Sequence, residues 1–281
     1  MSTATAGRRS PAARSALAEA RATHRAIGRT FWLASRLLPR GVRDDVHLLY
    51  LVLRTLDDAV DDRRPGARQI VEGVELWAAT GQATTREALL MKDLATRYAI
   101  DRGVVADFCA GMHDDLSGRV LTTEEQLDTY CYRVAGTVGV LMIAFLGSSD
   151  AEAARRPAIA LGQAMQRTNI LRDIDEDVAA GRMYLATETV ERFGSIRPGE
   201  RAALLTDQIA RADALYDEGI AGIAYLSSGR RAIGAAAAMY REILRQIERD
   251  GLGTHPGRAV VPLSRKARAA FGVQRQLRPA P

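Results

Sequence analysis

The stretch Leu48-Leu49-Tyr50-Leu51-Val52-Leu53-Arg54-Thr55-Leu56 runs straight into Asp57-Asp58-Ala59-Val60-Asp61-Asp62, so a helix apolar enough for a protein core ends in four aspartates. Few folds tolerate this arrangement. Unpaired carboxylates beside apolar surface are costly, and acidic residues at a helix C-terminus oppose the helix dipole. At helical pitch Asp57 and Asp61 share a face, with Arg54 one turn earlier on nearly the same line. Asp58 and Asp62 fall about a quarter turn away. A frayed, solvated helix end would account for the acids alone. The apolar run leading into them favours a site where two carboxylates and a guanidinium converge.

A second cluster stands far along the chain, in Gln166-Arg167-Thr168-Asn169-Ile170-Leu171-Arg172-Asp173-Ile174-Asp175-Glu176-Asp177. Gln166, Asn169, Asp173 and Asp177 lie within about 80° of helical arc, flanked by the apolar Ile170 and Ile174. An ordinary amphipathic surface helix is the plain alternative. A line of four oxygen-bearing side chains bounded by core residues reads better as the wall of a wet cavity or the holder of a cation. Two such helices suit Mg²⁺, which takes one or two carboxylates and completes its octahedron with water and substrate phosphates. Arg29, Arg54, Arg172, Arg182, Arg258 and Lys266 supply positive charge for a diphosphate.

The rest of the chain reads as helical. Ala, Leu and Arg abound, aromatics make up only 5% of residues, and alternating β-branched strands are missing. Helix stops fall at Pro39-Arg40-Gly41, Arg64-Pro65-Gly66, Gly81, Gly118, Gly147-Ser148-Ser149, Arg197-Pro198-Gly199 and Gly251 to Pro256. The expectation is an all-α, single-domain bundle with a central cavity. Periodicity begins near Ser15, so residues 1–14 read as a disordered basic leader, 15–270 as the domain and 271–281 as a basic tail.

The net charge of +5 comes largely from the ends, from Arg8, Arg9 and Arg14 and from Arg265, Lys266, Arg268, Arg275 and Arg278, which argues against a nucleic-acid partner. No apolar run approaches the length of a membrane span, and the start lacks the apolar core of a secretory signal. Cys109 and Cys131 have no paired spacing, which fits a reducing cytoplasm. His24, His47 and His255 are isolated, and His113-Asp114-Asp115, with no third ligand at metal spacing, reads as a helix-surface cluster. No feature fixes an oligomeric state. Between the acidic clusters, Ala135, Gly139 and Met142 share a helical face in Tyr130 to Met142. Glycine inside a helix costs about 1 kcal/mol against alanine, so Gly139 needs a reason, and close helix packing and an apolar tunnel both supply one.

These segments, taken in order, resemble the squalene/phytoene synthase family. The likeness runs from about Gly28 to Lys266 and rests on Arg29 to Pro39, on Arg54 with Asp57 to Asp61, on Tyr130 to Gly139, and on Gln166 to Asp177 followed by Gly181-Arg182-Met183-Tyr184-Leu185. The resemblance implies an isoprenoid-synthase fold and head-to-head joining of two prenyl diphosphates through a cyclopropyl intermediate. It makes Asp57, Asp61, Asp173 and Asp177, with Asn169, the Mg²⁺ ligands, and sets Gln166 beside them. It places Arg29, Arg54, Arg172, Arg182, Arg258, Lys266 and Tyr240 on diphosphates, and Tyr130 next to the reacting carbons. Phe31, Ala135, Val138 and Gly139 would line the prenyl pocket.

Within the family, Val134-Ala135-Gly136-Thr137-Val138-Gly139 looks like phytoene synthases, whereas Arg167 looks like squalene synthases. Ala186 and Ile27 depart from residues common in the family, a Pro and a His. The favoured donor is geranylgeranyl diphosphate, giving phytoene. Farnesyl diphosphate would give squalene or dehydrosqualene, with NADPH needed only for squalene. A class I terpene cyclase acting on a single donor shares the first aspartate motif, and a non-catalytic isoprenoid binder is a further alternative. A water-insoluble product also implies loose contact with a bilayer through the basic ends or an apolar tunnel mouth.

Overall fold

A computed structural model describes residues 7–276. Among these, thirteen α-helices and no strands are found: α1 (Pro11–Ala26), α2 (Arg29–Ser35), α3 (Arg40–Asp61), α4 (Ala67–Thr80), α5 (Arg86–Ala95), α6 (Arg102–Ser117), α7 (Glu124–Cys131), α8 (Thr137–Leu146), α9 (Ala151–Ala179), α10 (Thr187–Phe193), α11 (Ala202–Ala221), α12 (Arg230–Arg249) and α13 (Leu263–Gln276). A π-helical turn, Tyr132–Gly136, joins α7 to α8. Each expected stop falls at an observed helix boundary, while the breaks after α1, α5, α9 and α11 are not among them. Pro39 caps the start of α3, and Gly81 and Gly118 end α4 and α6 with positive φ, where a side chain would be strained.

The long α9 is the axis of the bundle, touching α7, the π turn, α8, α11 and α12. On the other side α3 packs with α1, α4, α5 and α6, and α12 carries α2 and α13. The packing of α8 and the π turn on α9 is made by glycine: a Cβ on Gly139 would stand 2.1 Å from the Ala158 carbonyl oxygen, and one on Gly162 would stand 2.2 Å from that of Ala135 in the π turn. Gly139 and Ala135, expected in the prenyl pocket, therefore lie at a helix contact in which backbone meets backbone. Val138 is half-buried against the larger apolar cluster, together with Met142.

Three further expectations change. The leader is partly structured: α1 begins at Pro11 behind the cap Ser10, and Ala13 is fully buried. The reason is electrostatic. Asp45 and Asp93 are buried, and the segment before α1 supplies donors to them, Arg9 Nε to Asp45 at 2.7 Å and the Ser10 N–H to Asp93 at 2.6 Å. Residues 1–6 and 277–281 lie outside the described part, and the expected tail boundary at 271 falls inside α13. Next, the helical run Glu124–Leu146 does have the length and mean hydropathy, 1.5, of a membrane span. It packs against α6 and α9 as a core helix does. Last, His24 and His47 are neighbours, both buried, with their Nδ1 atoms 2.8 Å apart and His24 stacked on Tyr50. Burial first, and His47 second, push His24 down to about 3, so the pair is neutral.

Asp45 also accepts from Arg97 at 3.1 Å and from the Tyr98 hydroxyl at 2.9 Å. Asp45→Ala should lower stability by about 3 kcal/mol, because Arg97 loses a buried partner and the leader loses its anchor. Urea unfolding would measure this, and a change under about 0.5 kcal/mol, the size expected at an ordinary surface position, would refute it.

Candidate active site

The apolar run and its aspartates form the C-terminal half of α3. Leu56 and Ala59 are buried, yet the Asp57 side chain between them is 41% exposed, because it looks into a cleft rather than onto a neighbouring helix. Arg54 Nη1 donates to Asp57 at 2.9 Å, and the same guanidinium pairs with Asp58. Across the cleft, α9 presents Gln166, Asn169, Asp173 and Asp177, all half-buried, while Ile170, Leu171 and Ile174 are buried behind them. Asn169 Nδ2 donates to Gln166 at 3.2 Å, and Arg172 Nε to Asp173 at 2.7 Å.

α3 and α9 do not pack on one another, and Arg182 spans the gap between them. α9 ends as Gly181 adopts φ +72°, which folds the chain back so that the Arg182 N–H donates to the Asp177 carbonyl at 2.8 Å. From there Arg182 Nη1 reaches Asp61 at 2.6 Å, with its Nε 3.9 Å from Asp177. The crowding of carboxylates is only partly offset. Although its side chain is 41% exposed, Asp57 is walled by protein on the cleft side, and this partial desolvation, then Asp61, pushes it up to about 6, with Arg54 opposing. Asp177 is pushed up to about 6 by burial, with Arg182 opposing and Asp173 and Asp61 adding.

The far end of the cleft is cationic. Arg258 Nε lies 3.1 Å from Asp173, and Lys266 Nζ donates to the Thr30 hydroxyl at 3.0 Å, tying α13 to α2. Burial, and then the charges of Arg172, Arg29 and Arg258, lower the Lys266 pKa. Four cations gathered in this way make a place for an anion of high charge. Tyr240 stands beside Arg172 and stacks on Phe31 with ring centroids 4.8 Å apart.

Tyr130 is buried, and its hydroxyl donates to both oxygens of Asp115, at 3.1 and 3.2 Å. Tyr184 stacks on Tyr130 at 5.3 Å and reaches the same carboxylate at 3.3 Å. Asp115, read from sequence as part of a surface cluster, thus belongs to the site, and burial first, with Asp61 and Asp57 adding, pushes it up to about 7. The cluster reading holds for its neighbours, since His113 pairs with Glu75, and Asp114 with Arg119 and Arg133. Arg167 points away from the cleft. It is buried against Glu124, Asp128 and Gln208 behind α9, so its basic character bears on packing rather than on the product.

The donors suit a hydrated divalent cation shared with a diphosphate. Among the described residues no three acids or histidines already converge on one point. Asn169 Oδ1, Arg54 Nε and Arg182 Nε are buried there without partners, an acceptor for a cation and two donors for an anion.

A helical bundle that opposes two aspartate-bearing helices across a cleft and closes one end with arginine and lysine defines an enzyme for diphosphate esters. The chain belongs to the squalene/phytoene synthase family, whose model matches residues 24–265. It is 37% identical to the phytoene synthase of Thermus thermophilus over 81% of each chain. It is 33% identical to the 15-cis-phytoene synthase of a Synechocystis species, over 85% of this chain and 78% of that one. A dehydrosqualene synthase crystallised with a ligand superposes with a TM-score of 0.85 at 25% identity, covering 94% of this chain and 97% of its own. The squalene synthase HpnC of Alicyclobacillus acidocaldarius superposes with a TM-score of 0.75 at 25% identity, over 86% and 97%.

The raised carboxyl pKa values set a pH dependence. Folded Asp57 and Asp177 keep their protons to about 6 and Asp115 to about 7, whereas unfolded carboxyls release theirs near about 4. The folded state binds more protons in that window, so these groups destabilise it as pH rises. In metal-free protein the denaturation midpoint should fall less between about pH 4 and 7 in Asp57→Asn and Asp115→Asn than in wild type. Equal slopes in all three proteins would contradict this.

Proposed function

We propose that this chain joins two allylic prenyl diphosphates head to head, with geranylgeranyl diphosphate as donor and phytoene as product. The observation that carries the reading is the Arg182 bridge, which holds Asp61 of α3 opposite Asp177 of α9 beside a cationic end. The curated relatives named above, both phytoene synthases, support the longer donor.

Asp57, Asp61, Asn169, Asp173 and Asp177 would hold Mg²⁺, which when bound supplies positive charge to the leaving diphosphate. The remaining work falls to the chain itself. Arg29, Arg172, Arg258 and Lys266 receive the diphosphate oxygens, and Arg54 and Arg182 turn from their aspartates toward the same anion, which has unpartnered Nε–H groups waiting for it. Tyr240 adds its hydroxyl on that side, and Phe31, stacked on it, covers the start of the prenyl chain. Tyr130 stands where the carbon skeleton becomes cationic, its hydroxyl fixed by Asp115. The apolar walls keep water from the cation until the new bond has formed.

Purified protein with Mg²⁺ and geranylgeranyl or farnesyl diphosphate, each with and without NADPH, should give a C40 hydrocarbon from the longer donor without reductant. Asp57→Ala and Asp173→Ala should each lower the rate by about a hundred-fold or more. A C30 product would replace the donor in this reading, and a product with one donor's carbon count would make the chain a cyclase.

The described surface also fits a bilayer. Ile27, Leu33 and Leu37 around α2 and Val260, Leu263 and Phe271 around α13 are exposed on either side of the Lys266–Thr30 contact, among the exposed Arg25, Arg36, Arg40 and Arg268. We expect flotation with anionic vesicles that weakens in Leu263→Ser/Phe271→Ser protein. No flotation of the wild type would end this part of the reading.

A further inference from the structure

Charge balance sets a demand that the diphosphate-binding residues do not meet. In head-to-head coupling each diphosphate leaves with the electron pair of its carbon–oxygen bond. Two donors that end as one uncharged hydrocarbon, with no added reductant, must therefore release two protons from carbon. Arginine offers no acceptor, Lys266 sits among other cations, and Asp57, Asp61 and Asp173 are paired with arginines.

Asp115 is different. Among the described residues no arginine or lysine pairs with it, since the nearby Arg119 and Arg133 are taken by Asp114. The hydrogen-bond donors on its carboxylate are two phenols, Tyr130 from α7 and Tyr184 from the segment after Arg182. Asp61 and Asp57 of α3 add negative charge beside it. A half-buried carboxylate that lacks a counter-ion and accepts hydrogen bonds only from hydroxyls is poised to take up a proton.

We propose that Asp115, acting through Tyr130, receives a proton lost from carbon during coupling. The Tyr130 oxygen takes the hydrogen from the carbon that closes the cyclopropane ring, one carbon removed from the cationic centre, while the phenol's own hydrogen passes to an Asp115 oxygen. The C–H electron pair becomes the new carbon–carbon bond, and the resulting carboxylic acid returns its proton to solvent after product leaves. Asp115 does not touch substrate in this scheme. It is a positioning residue, and Tyr184, stacked on Tyr130, holds its carboxylate in line. Its raised pKa, about 7, agrees with a group that can gain and lose a proton near neutrality.

The inference rests on the head-to-head reading, and a ratio tests the two separately. Full-length protein is given geranylgeranyl diphosphate and Mg²⁺, and both diphosphate release and C40 hydrocarbon are measured. In Asp115→Asn, diphosphate release should stay within about ten-fold of wild type while hydrocarbon per diphosphate released falls by about a hundred-fold or more. The missing carbon should appear as alcohols that lack the cyclopropane ring, and Asp115→Glu should restore part of the ratio. Tyr130→Phe should uncouple the two readouts in the same way, which keeps the test open if Asp115→Asn fails to fold. Wild-type coupling in a folded Asp115→Asn, or equal loss of both readouts, would overturn the role of Asp115 alone. Absence of any C40 product from the wild type would overturn the head-to-head reading and this inference with it.

Discussion

The mutual repulsion of the aspartates on α3 and α9 is the constraint around which the molecule is arranged. Left alone, these carboxylates would drive the two helices apart or fill with protons. Arg54, Arg172, Arg182 and Arg258 hold them in place, each pairing with one or two acids at the rim of the cleft. Desolvation raises the Asp57 and Asp177 pKa values first, and because the compensation is incomplete the neighbouring carboxylates add to it. A site left with residual negative charge and unpartnered guanidinium N–H groups is completed by a cation and a polyanion arriving together.

Holding that arrangement falls to the back of α9. Arg167 is buried among Glu124, Asp128 and Gln208, which ties α9 to α7 and α11 on the face opposite the cleft. Burial would raise the Glu124 pKa, but hydrogen bonds from Thr189 and Arg167 outweigh it and hold the carboxyl below its ordinary value. A buried ionic network of this kind contributes little net stability, because desolvation offsets the attraction. What it fixes is rotation: with Arg167 pinned, Gln166, Asn169, Asp173 and Asp177 have to face the cleft.

How much could be read in the sequence varied with the range of the contact. The two acid clusters were legible because helical pitch alone places Asp57 with Asp61 and Asp173 with Asp177. The glycine and proline stops were legible for the same local reason. Asp115 was not, since the partners that give it meaning, Tyr130 and Tyr184, are 15 and 69 residues away and no motif links the three. The leader was misread because nothing near Arg9 announces that Asp45 is buried and in need of a donor. Arg167 was illegible for the same reason: it sits inside a family motif, but the side of the helix it occupies is decided by packing partners remote in sequence. The close packing read as one reason for Gly139 is present.

The contact of Gly139 with the Ala158 carbonyl, and of Gly162 with that of Ala135, leaves no layer of side chains at these points between α9 and the run formed by the π turn and α8. A wall made where two backbones touch has no adjustable thickness. Neither helix can be moved outward by substitution without opening a void, nor inward at all. If a prenyl chain packs against this part of the bundle, the graduations have to be cut in neighbouring side chains such as Val138, Met142 and Met165, which are only partly buried. Variation in the length of hydrocarbon accommodated would then accumulate in steps of single side chains, on a frame that heredity has little freedom to alter.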